Sequence, residues 1–286
     1  MNLFAYLDLS NPMVAWEVAI GRIKSVNYNY NDEIYELSIW EYDLIRNYTK
    51  HGATQELINE LQLEYIRKTT YMNCVSRMKC LYFFETRNDA VFALNHWGID
   101  INEEYISEVE LEIKNITRVD SEWITNFIEK EDDNKWMDYY WQGKVYKNKP
   151  LYELLVDGFG IIKNTRLCRK AHKIIYDTWP YSTRLLAMAM CGFQVKYIDN
   201  IAKIVPGIYS QDGKIKGSYF IDITDLKKYE KEVIDAMKYV QSINDFPPVV
   251  LPPNKNAAFI LPDLRYLEID FENSYIATLL QKVHKK

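Results

Sequence analysis

The chain has 286 residues, 48% of them hydrophobic and 26% charged, which provides a packed core and excludes extended disorder. This length suits one large domain or two smaller ones. The net charge of −5 gives no overall positive field, so nonspecific binding of duplex nucleic acid is excluded as the main activity.

The first half of the chain mixes strand and helix patterns. A helix is predicted with Asn11 as its N-cap, Pro12 at its first position and Gly21 at its end. Another helix begins after Thr54, and residues 22–50 show no clean periodicity. The predicted segments are strand 3–9, helix 11–21, helix 54–69 (with Ile58, Leu61 and Tyr65 on one face), strand 80–86, helix 87–98, strand 105–113 and helix 132–143.

The character of the chain changes after residue 163. The predicted segments are a basic helix 165–179, a nearly apolar helix 180–193, strand 217–224, an amphipathic helix 225–240, a Pro-rich linker or wall loop 246–256, and a last strand 265–271 before a C-terminal helix. The order of strands and helices predicts the α+β class. Residues 1–163 are interpreted as a core, and residues 164–286 as a C-terminal extension that is either separate or part of the same domain.

The cysteines and the apolar segments indicate where the protein resides. Cys74, Cys80, Cys168 and Cys191 show no C-x-x-C spacing, and no histidine is placed so as to suggest a zinc knuckle, which favours reduced thiols and predicts no metal. The N-terminus lacks the basic region of a signal peptide, and the longest uncharged run, 185–195, is too short to span a bilayer. We therefore expect a soluble cytoplasmic protein without a membrane partner.

Several common catalytic signatures are missing from the sequence. Neither the G-x-G-x-x-G pattern nor the P-loop pattern occurs, which argues against a Rossmann dehydrogenase and a P-loop kinase. The H-E-x-x-H and G-x-S-x-G patterns are missing too, and the four histidines are scattered. The candidates that remain for chemistry are arginine, serine, tyrosine and glutamate side chains.

Glu153 interrupts an apolar strand, "YELLV" at 152–156. With a period of two, it shares a face with Leu151 and Leu155. A carboxylate in such surroundings must be solvated, paired or used in chemistry. Glu153 therefore either faces water at a strand end or has a functional role.

Ser76 and Arg77 stand just before the predicted strand 80–86. Most arginines lie on the surface, and that is one interpretation of Arg77. An arginine at the mouth of a strand is also well placed to hold a phosphate or ribose through its planar fork.

The order of four segments resembles the ADP-ribosyltransferase superfamily, and within it the DarT-like toxins that modify nucleic-acid bases. The segments are "LFAYLDLSNPMVAWEVAIG" (3–21), "RMKCLY" (77–82), "YWQGK" (140–144) and "ELLV" (153–156). The resemblance covers residues 3–158, a little over half of the chain. It implies mixed sheets around an NAD cleft, with additional C-terminal helices and strands.

The resemblance implies roles for individual residues. Glu153 corresponds to the catalytic carboxylate, and Arg77 corresponds to the family's arginine, with a catalytic and an NAD-binding role. NAD is the cosubstrate that the resemblance implies. Tyr6 stands where the family offers His or Arg to NAD, and Ser76, next to Arg77, is a further candidate for binding NAD. Tyr140 and Trp141 are candidates for stacking on nicotinamide or on the acceptor base, although packing in the core explains them equally well.

Two features bear on the acceptor. Relatives that modify arginine carry Glu two residues before the catalytic carboxylate, whereas this chain has Leu151, which favours a base as acceptor. The segment 163–173 is basic, and its Arg166, Arg169 and Lys170 form either a solvated face or a track for a phosphate backbone.

These observations lead to one expectation and two rivals. The expectation is a mono-ADP-ribosyltransferase that modifies single-stranded RNA or DNA, of the toxin or phage-defence type and controlled by an antitoxin or other inhibitor protein. One rival retains the fold but modifies a protein or only hydrolyses NAD. The other is a non-enzymatic interaction module in which Arg77 and Glu153 form a structural ion pair.

Overall fold

The computed structural model describes residues 1–26, 34–52, 54–130, 133–212, 214–242 and 246–271, together with residues 278, 280 and 282. The strands are β1 (Asn2–Tyr6), β2 (Arg22–Lys24), β3 (Ile34–Glu36), β4 (Leu81–Phe83), β5 (Ile106–Asp120), β6 (Tyr152–Ile161), β7 (Lys203–Gln211), β8 (Lys214–Asp222) and β9 (Ile269–Phe271). The α-helices are α1 (Pro12–Ile20), α2 (Ile39–His51), α3 (Gln55–Thr70), α4 (Arg87–His96), α5 (Glu122–Phe127), α6 (Lys135–Trp141), α7 (Thr165–Thr178), α8 (Thr183–Lys196), α9 (Thr224–Lys228) and α10 (Glu230–Ser242).

The α+β class is confirmed, and the sheets are antiparallel. The helix α1 begins and ends as its sequence predicts: the Asn11 side chain accepts a hydrogen bond from the Met13 N–H, and Gly21 adopts a left-handed φ of 97°. A glycine is required there, because other residues pay a steric penalty at positive φ.

Some element boundaries differ from the prediction. The first strand ends at Tyr6 rather than at residue 9, and the strand that begins at Ile106 continues to Asp120. The amphipathic segment 225–240 divides into α9 and α10 around Tyr229, and the last strand begins with a 3-10 turn, Arg265–Leu267. The predicted C-terminal helix falls mostly outside the described residues.

The first sheet is centred on β6. Its strand order is β1-β5-β6-β2, and β4 also pairs with β6. One edge of β6 pairs with β5 over its whole length, whereas the other edge meets β4 opposite residues 154–156 and β2 opposite residues 159–161. A backbone bridge between Phe4 and Phe84 also joins β1 to the chain just after β4. Glu153 therefore lies in a central strand.

The second sheet has the order β3-β7-β8-β9. It combines β3, from the segment in which no periodicity was visible, with three strands from the C-terminal part of the chain. The longest pairing joins β7 and β8 from Lys203↔Asp222 to Gln211↔Lys214. This sheet faces α2 through a small apolar cluster that includes Leu37, Tyr42 and Ile208.

Both faces of β6 are covered by apolar side chains. On one face Leu154 and Val156 belong to the main core, which includes residues of α1, α7 and α8. On the other face Leu155 packs with Val119, Tyr140 and Trp141. The main core draws residues from both sides of residue 163, and the division of the chain there stays a prediction. In the part of the chain that the structure describes, no helix is long and apolar enough to cross a membrane.

Candidate functional site

Four elements bring their side chains together beneath the first sheet. Arg77, from the loop after α3, contacts Glu60 on α3, Tyr140 on α6 and Glu153 on β6. Arg77 Nη2 lies 3.0 Å from Glu60 Oε1, and Nε lies 3.2 and 3.3 Å from the two oxygens of that carboxylate. Arg77 Nη1 donates to Tyr140 Oη at 2.9 Å and to Glu153 Oε2 at 3.5 Å. These four residues are called the Arg77 cluster below.

The Arg77 cluster is buried. Glu60 is 1% exposed, Arg77 5% and Glu153 6%, and the Tyr140 ring is fully enclosed. This burial contradicts both the interpretation of Glu153 as a solvent-facing residue at a strand end and that of Arg77 as a surface residue. Buried charges are stable only when paired and hydrogen-bonded, and the cluster satisfies that requirement for the guanidinium.

The charges in the Arg77 cluster do not balance, because two carboxyl groups face one guanidinium. Burial raises the pKa of Glu153 to about 7; Arg77 opposes that rise and Glu60 adds to it. Burial would lower the pKa of Arg77, but Glu60 and the other neighbours raise it well above its ordinary value. Glu153 therefore titrates near neutral pH, a property that is common at functional sites and that also occurs in structural ion-pair networks.

Tyr82, on β4, closes another side of the Arg77 cluster. Its hydroxyl donates to the Arg77 backbone carbonyl at 2.6 Å, and the guanidinium carbon of Arg77 lies 5.3 Å from the ring centroid. Ser76 is buried beside Arg77, and its Oγ has no hydrogen-bond partner among the described residues. An unsatisfied buried hydroxyl costs free energy and is uncommon in native structures.

A cleft of about 360 Å³ lies between the two sheets. This volume is in the range of small-molecule and cofactor sites. The first sheet and α1 form one wall, and β3, α2 and β7 form the other. Its lining includes the aromatic side chains Tyr6, Trp40 and Tyr82, the lysines Lys24 and Lys203, and the carboxylates Asp8, Glu17, Glu36 and Asp43.

Most of the charges at the cleft are already paired. Lys203 Nζ lies 2.5 Å from Glu36 Oε1, and Glu17 binds the buried Arg22. Lys24 Nζ donates to Asp199 Oδ2 and to Asn200 Oδ1, both at 2.9 Å. Burial raises the pKa of Glu36, and Lys203 offsets part of that rise. A ligand with phosphates would therefore compete with carboxylates for the two lysines.

The cleft and the Arg77 cluster are adjacent but distinct. Tyr82 lines the cleft and touches Arg77, whereas neither Arg77 nor Glu153 is among the described residues that line the cleft. Of the predicted ligand-binding residues, only Tyr6 lies in the cleft. The fold therefore separates the predicted ligand-binding residues, because Tyr6 lines the cleft whereas Arg77 and Tyr140 belong to the Arg77 cluster.

Tyr140 and Trp141, predicted to stack on nicotinamide or on a base, are both core residues. Tyr140 binds Arg77, and Trp141 Nε1 donates to the Leu63 carbonyl at 2.9 Å. Both rings pack in the apolar cluster beneath β6. The alternative of core packing describes their surroundings in this structure.

The basic segment of α7 is partly neutralised. Arg166 Nη2 lies 2.7 Å from Glu104 Oε1, and Lys170 Nζ lies 2.9 Å from Glu104 Oε2. Arg166 and Arg169 are exposed, and Lys170 is half-buried. The segment thus presents cations at the surface, with one carboxylate competing for two of them.

Glu60 is the member of the Arg77 cluster that sequence analysis missed. The predicted apolar face of α3 was Ile58, Leu61 and Tyr65, but Tyr65 is 48% exposed. The buried face is rotated and contains Leu57, Glu60, Leu61, Glu64 and Arg67. Glutamates at i and i+4 followed by arginine at i+7 were the available signal, since this spacing places all three on one helix face.

In the described ranges, no group of three or more His, Cys, Asp and Glu side chains is arranged to hold a metal ion. The four cysteines are free thiols, and burial raises the pKa of Cys80, which lies beside Arg77. The groups that the Arg77 cluster offers for chemistry are its guanidinium, carboxyl and phenol groups.

The fold and site define an α+β protein with two antiparallel sheets, an inter-sheet cleft and a buried arginine–carboxyl cluster. The chain belongs to the DUF2441 family, described as a protein of unknown function, whose family model matches residues 12–165. All four members of the Arg77 cluster lie within this matched segment. Searches of curated proteins and of solved structures gave no significant match.

Proposed function

We propose that the protein is a mono-ADP-ribosyltransferase that binds NAD in the inter-sheet cleft and transfers ADP-ribose to a base of single-stranded nucleic acid. The observation that carries the proposal is Tyr82, which borders the cleft on one side and the Arg77–Glu153 pair on the other. The two segments that resemble the family motifs, 77–82 and 153–156, are adjacent in the fold, because β4 and β6 are paired strands.

The chemistry requires one carboxylate near the ribose. Breaking the bond between nicotinamide and C1′ of the ribose builds positive charge on the sugar, as in glycoside hydrolysis, and a nearby carboxylate stabilises it. Nicotinamide leaves as a neutral molecule, so a second carboxylate is not needed as a strong acid. Glu153 meets this requirement when it is ionised and when the ribose reaches it past Tyr82.

The cleft offers chemically suitable groups for the rest of the dinucleotide. Trp40 and Tyr6 provide aromatic surfaces for flat rings, and Lys24 and Lys203 provide cations for the diphosphate. To bind a phosphate, Lys203 would have to give up its ion pair with Glu36, which lowers the affinity expected from the lysines alone.

The acceptor is inferred from two further features. Leu151 is buried and apolar, so it offers no polar group to orient an arginine acceptor. Arg166, Arg169 and Lys170 provide surface cations for a phosphate backbone. A single strand is favoured over a duplex, because its bases are accessible and the net charge of the chain is negative.

The proposal is tested by nicotinamide release from NAD with purified single-stranded RNA, single-stranded DNA or protein as acceptor. We expect release together with transfer of labelled ADP-ribose to nucleic acid, and loss of both in Glu153→Gln. Label found only on protein would favour the protein-directed rival. Release of nicotinamide without transfer of label would favour the rival that only hydrolyses NAD. A folded wild-type protein that releases no nicotinamide with any acceptor contradicts the enzymatic proposal.

A non-enzymatic interaction module is the second candidate, and one observation favours it. Arg77 lies closer to Glu60, at 3.0 Å, than to Glu153, at 3.5 Å, so the arginine already has a structural partner inside the protein. If the protein is such a module, Glu153→Gln changes the stability and its pH dependence, and neither the variant nor the wild type turns over NAD. The two candidates therefore differ in one experiment in which activity and unfolding are measured on the same variant.

A further inference from the structure

We propose that Glu60 is a positioning residue: by binding Arg77 it keeps a proton on Glu153 and so sets the pH at which Glu153 becomes a carboxylate. The geometry behind this inference is the unequal sharing of one guanidinium. Glu60 receives Arg77 through both Nε and Nη2, at 3.0 to 3.3 Å, whereas Glu153 lies 3.5 Å from Nη1 alone.

The groups around Glu153 leave few sources of charge. Arg77 faces it from the loop before β4, Glu60 from α3 and Tyr140 from α6, while Cys80 and Tyr82 face it from the start of β4. Burial raises the pKa of each of Tyr140, Cys80 and Tyr82, so these three are uncharged near neutral pH. Burial is therefore the first cause of the raised pKa of Glu153, and Arg77 and Glu60 are the two charged groups that act on it, in opposite directions.

A buried group of two carboxylates and one guanidinium carries an uncompensated negative charge, which is costly away from water. One proton removes that cost. It resides on the carboxyl that gains least from the guanidinium, and the distances identify this carboxyl as Glu153. Because Glu60 acts on Glu153, removing the Glu60 carboxylate changes the pH at which Glu153 loses its proton.

Infrared difference titration of the protonated-carboxyl band tests this inference without any substrate. We expect a band in the wild type that disappears near neutral pH and is missing from Glu153→Gln. In Glu60→Gln, Arg77 has only Glu153 as a charged partner, so the midpoint of the band should move down by about one pH unit or more. Glu112→Gln, at an exposed position on β5, removes one carboxylate outside the Arg77 cluster; it is the control and should leave that midpoint unchanged.

A second variant covers the case in which Glu60→Gln does not fold. Glu60→Asp keeps the charge but draws the carboxylate back by one methylene, so the midpoint should fall by a smaller amount in the same direction. The inference is overturned if the band persists in Glu153→Gln, or if a folded Glu60→Gln or Glu60→Asp protein has the wild-type midpoint.

The consequence for turnover rests on the proposed function. If NAD is the substrate, kcat should rise with pH as Glu153 loses its proton, and Glu60→Gln should shift that rise to lower pH by the same amount as the infrared midpoint. A protein without turnover but with the expected infrared shift refutes the proposed function alone. If the protein turns over NAD but Glu60→Gln shifts neither the pH profile of kcat nor the infrared midpoint, the positioning role alone is refuted.

Discussion

Arg77 donates to both carboxylate oxygens of Glu60, through Nε and Nη2, inside the protein and almost without solvent exposure. This bond ties the loop before β4 to α3. It also means that any ligand role of Arg77 must be exerted without breaking a buried ion pair, because such a break leaves an uncompensated charge.

Removing the arginine should therefore destabilise the protein strongly. Arg77→Met leaves Glu60 without its cation, and we expect a loss of about 3–5 kcal/mol in the free energy of unfolding, measured in urea. The control is Arg265→Met, whose ion pair with Asp263 is exposed and screened by solvent, and which should cost far less stability. Equal losses in the two variants would show that the Arg77 cluster is not a stabilising centre.

Arg77→Lys addresses ligand binding. It keeps the charge but removes the planar fork, so its contact with Glu60 weakens. If Arg77 contributes to NAD binding, calorimetry should show a lower affinity for NAD in the folded variant. Unchanged affinity together with unchanged turnover would assign Arg77 to structure alone.

Glu153→Gln should keep the fold and abolish transfer. Glutamine is nearly isosteric and removes only the charge, and we expect the rate of nicotinamide release to fall about 100-fold or more, as for the loss of one electrostatic stabiliser. Glu112→Gln, an exposed position on the neighbouring strand β5, is the matched control and should retain full activity. Full activity in a folded Glu153→Gln protein would end the assignment of Glu153 as the catalytic carboxylate.

The pH dependence of stability gives an independent prediction. A carboxyl whose pKa is 4.5 in the unfolded chain and about 7 in the fold takes up a proton on folding. Stability contributed by Glu153 is therefore present below about pH 4.5, is lost as the pH rises to about 7, and stays lost above that.

Glu153→Gln should abolish this loss. Between pH 5 and 8, we expect the difference in unfolding free energy between Glu153→Gln and the wild type to move in favour of the variant, by on the order of 1–3 kcal/mol. Urea unfolding at several pH values measures it. A difference that does not change with pH would show that Glu153 has the same pKa in the folded and unfolded chains.

Three of the four residues of the Arg77 cluster, Arg77, Tyr140 and Glu153, were named from the sequence, and Glu60 was not. Glu153 is recognisable because it interrupts an apolar strand whose side chains alternate with a period of two. Arg77 is recognisable because it precedes a predicted strand. The spacing of Glu60, Glu64 and Arg67 indicates a buried helix face, but the pairing of Glu60 with Arg77 could not be assigned, because Arg77 is 17 residues away and lies in a loop. Likewise, α2 and β3 fell in a segment without periodicity, since their burial depends on contact with β7 from the distant C-terminal part.

The cleft can be probed at Trp40, which lines it and is 37% exposed, so truncation should cost little stability. If an NAD ring stacks there, Trp40→Ala should weaken binding by about 1–3 kcal/mol, the range for base–aromatic stacking. Tyr181→Ala, an aromatic at the surface that does not line the cleft, is the control and should bind NAD as the wild type does. Equal affinity in all three proteins would place the NAD site elsewhere.

The basic segment of α7 makes the last prediction, which concerns the acceptor. Reversing Arg166, Arg169 and Lys170 to Glu should reduce transfer to single-stranded nucleic acid and its salt dependence, while NAD hydrolysis survives. Since Glu104 binds Arg166 and Lys170, Glu104→Gln should release both cations and strengthen binding to the single strand.

Reversal of the exposed Lys227, Lys228 and Lys231 to Glu changes net charge equally and is the control for a general charge effect. Binding measured by fluorescence anisotropy at several salt concentrations separates the variants. If both triple reversals weaken binding equally, or if Glu104→Gln has no effect, the surface of α7 is not the track for the phosphate backbone.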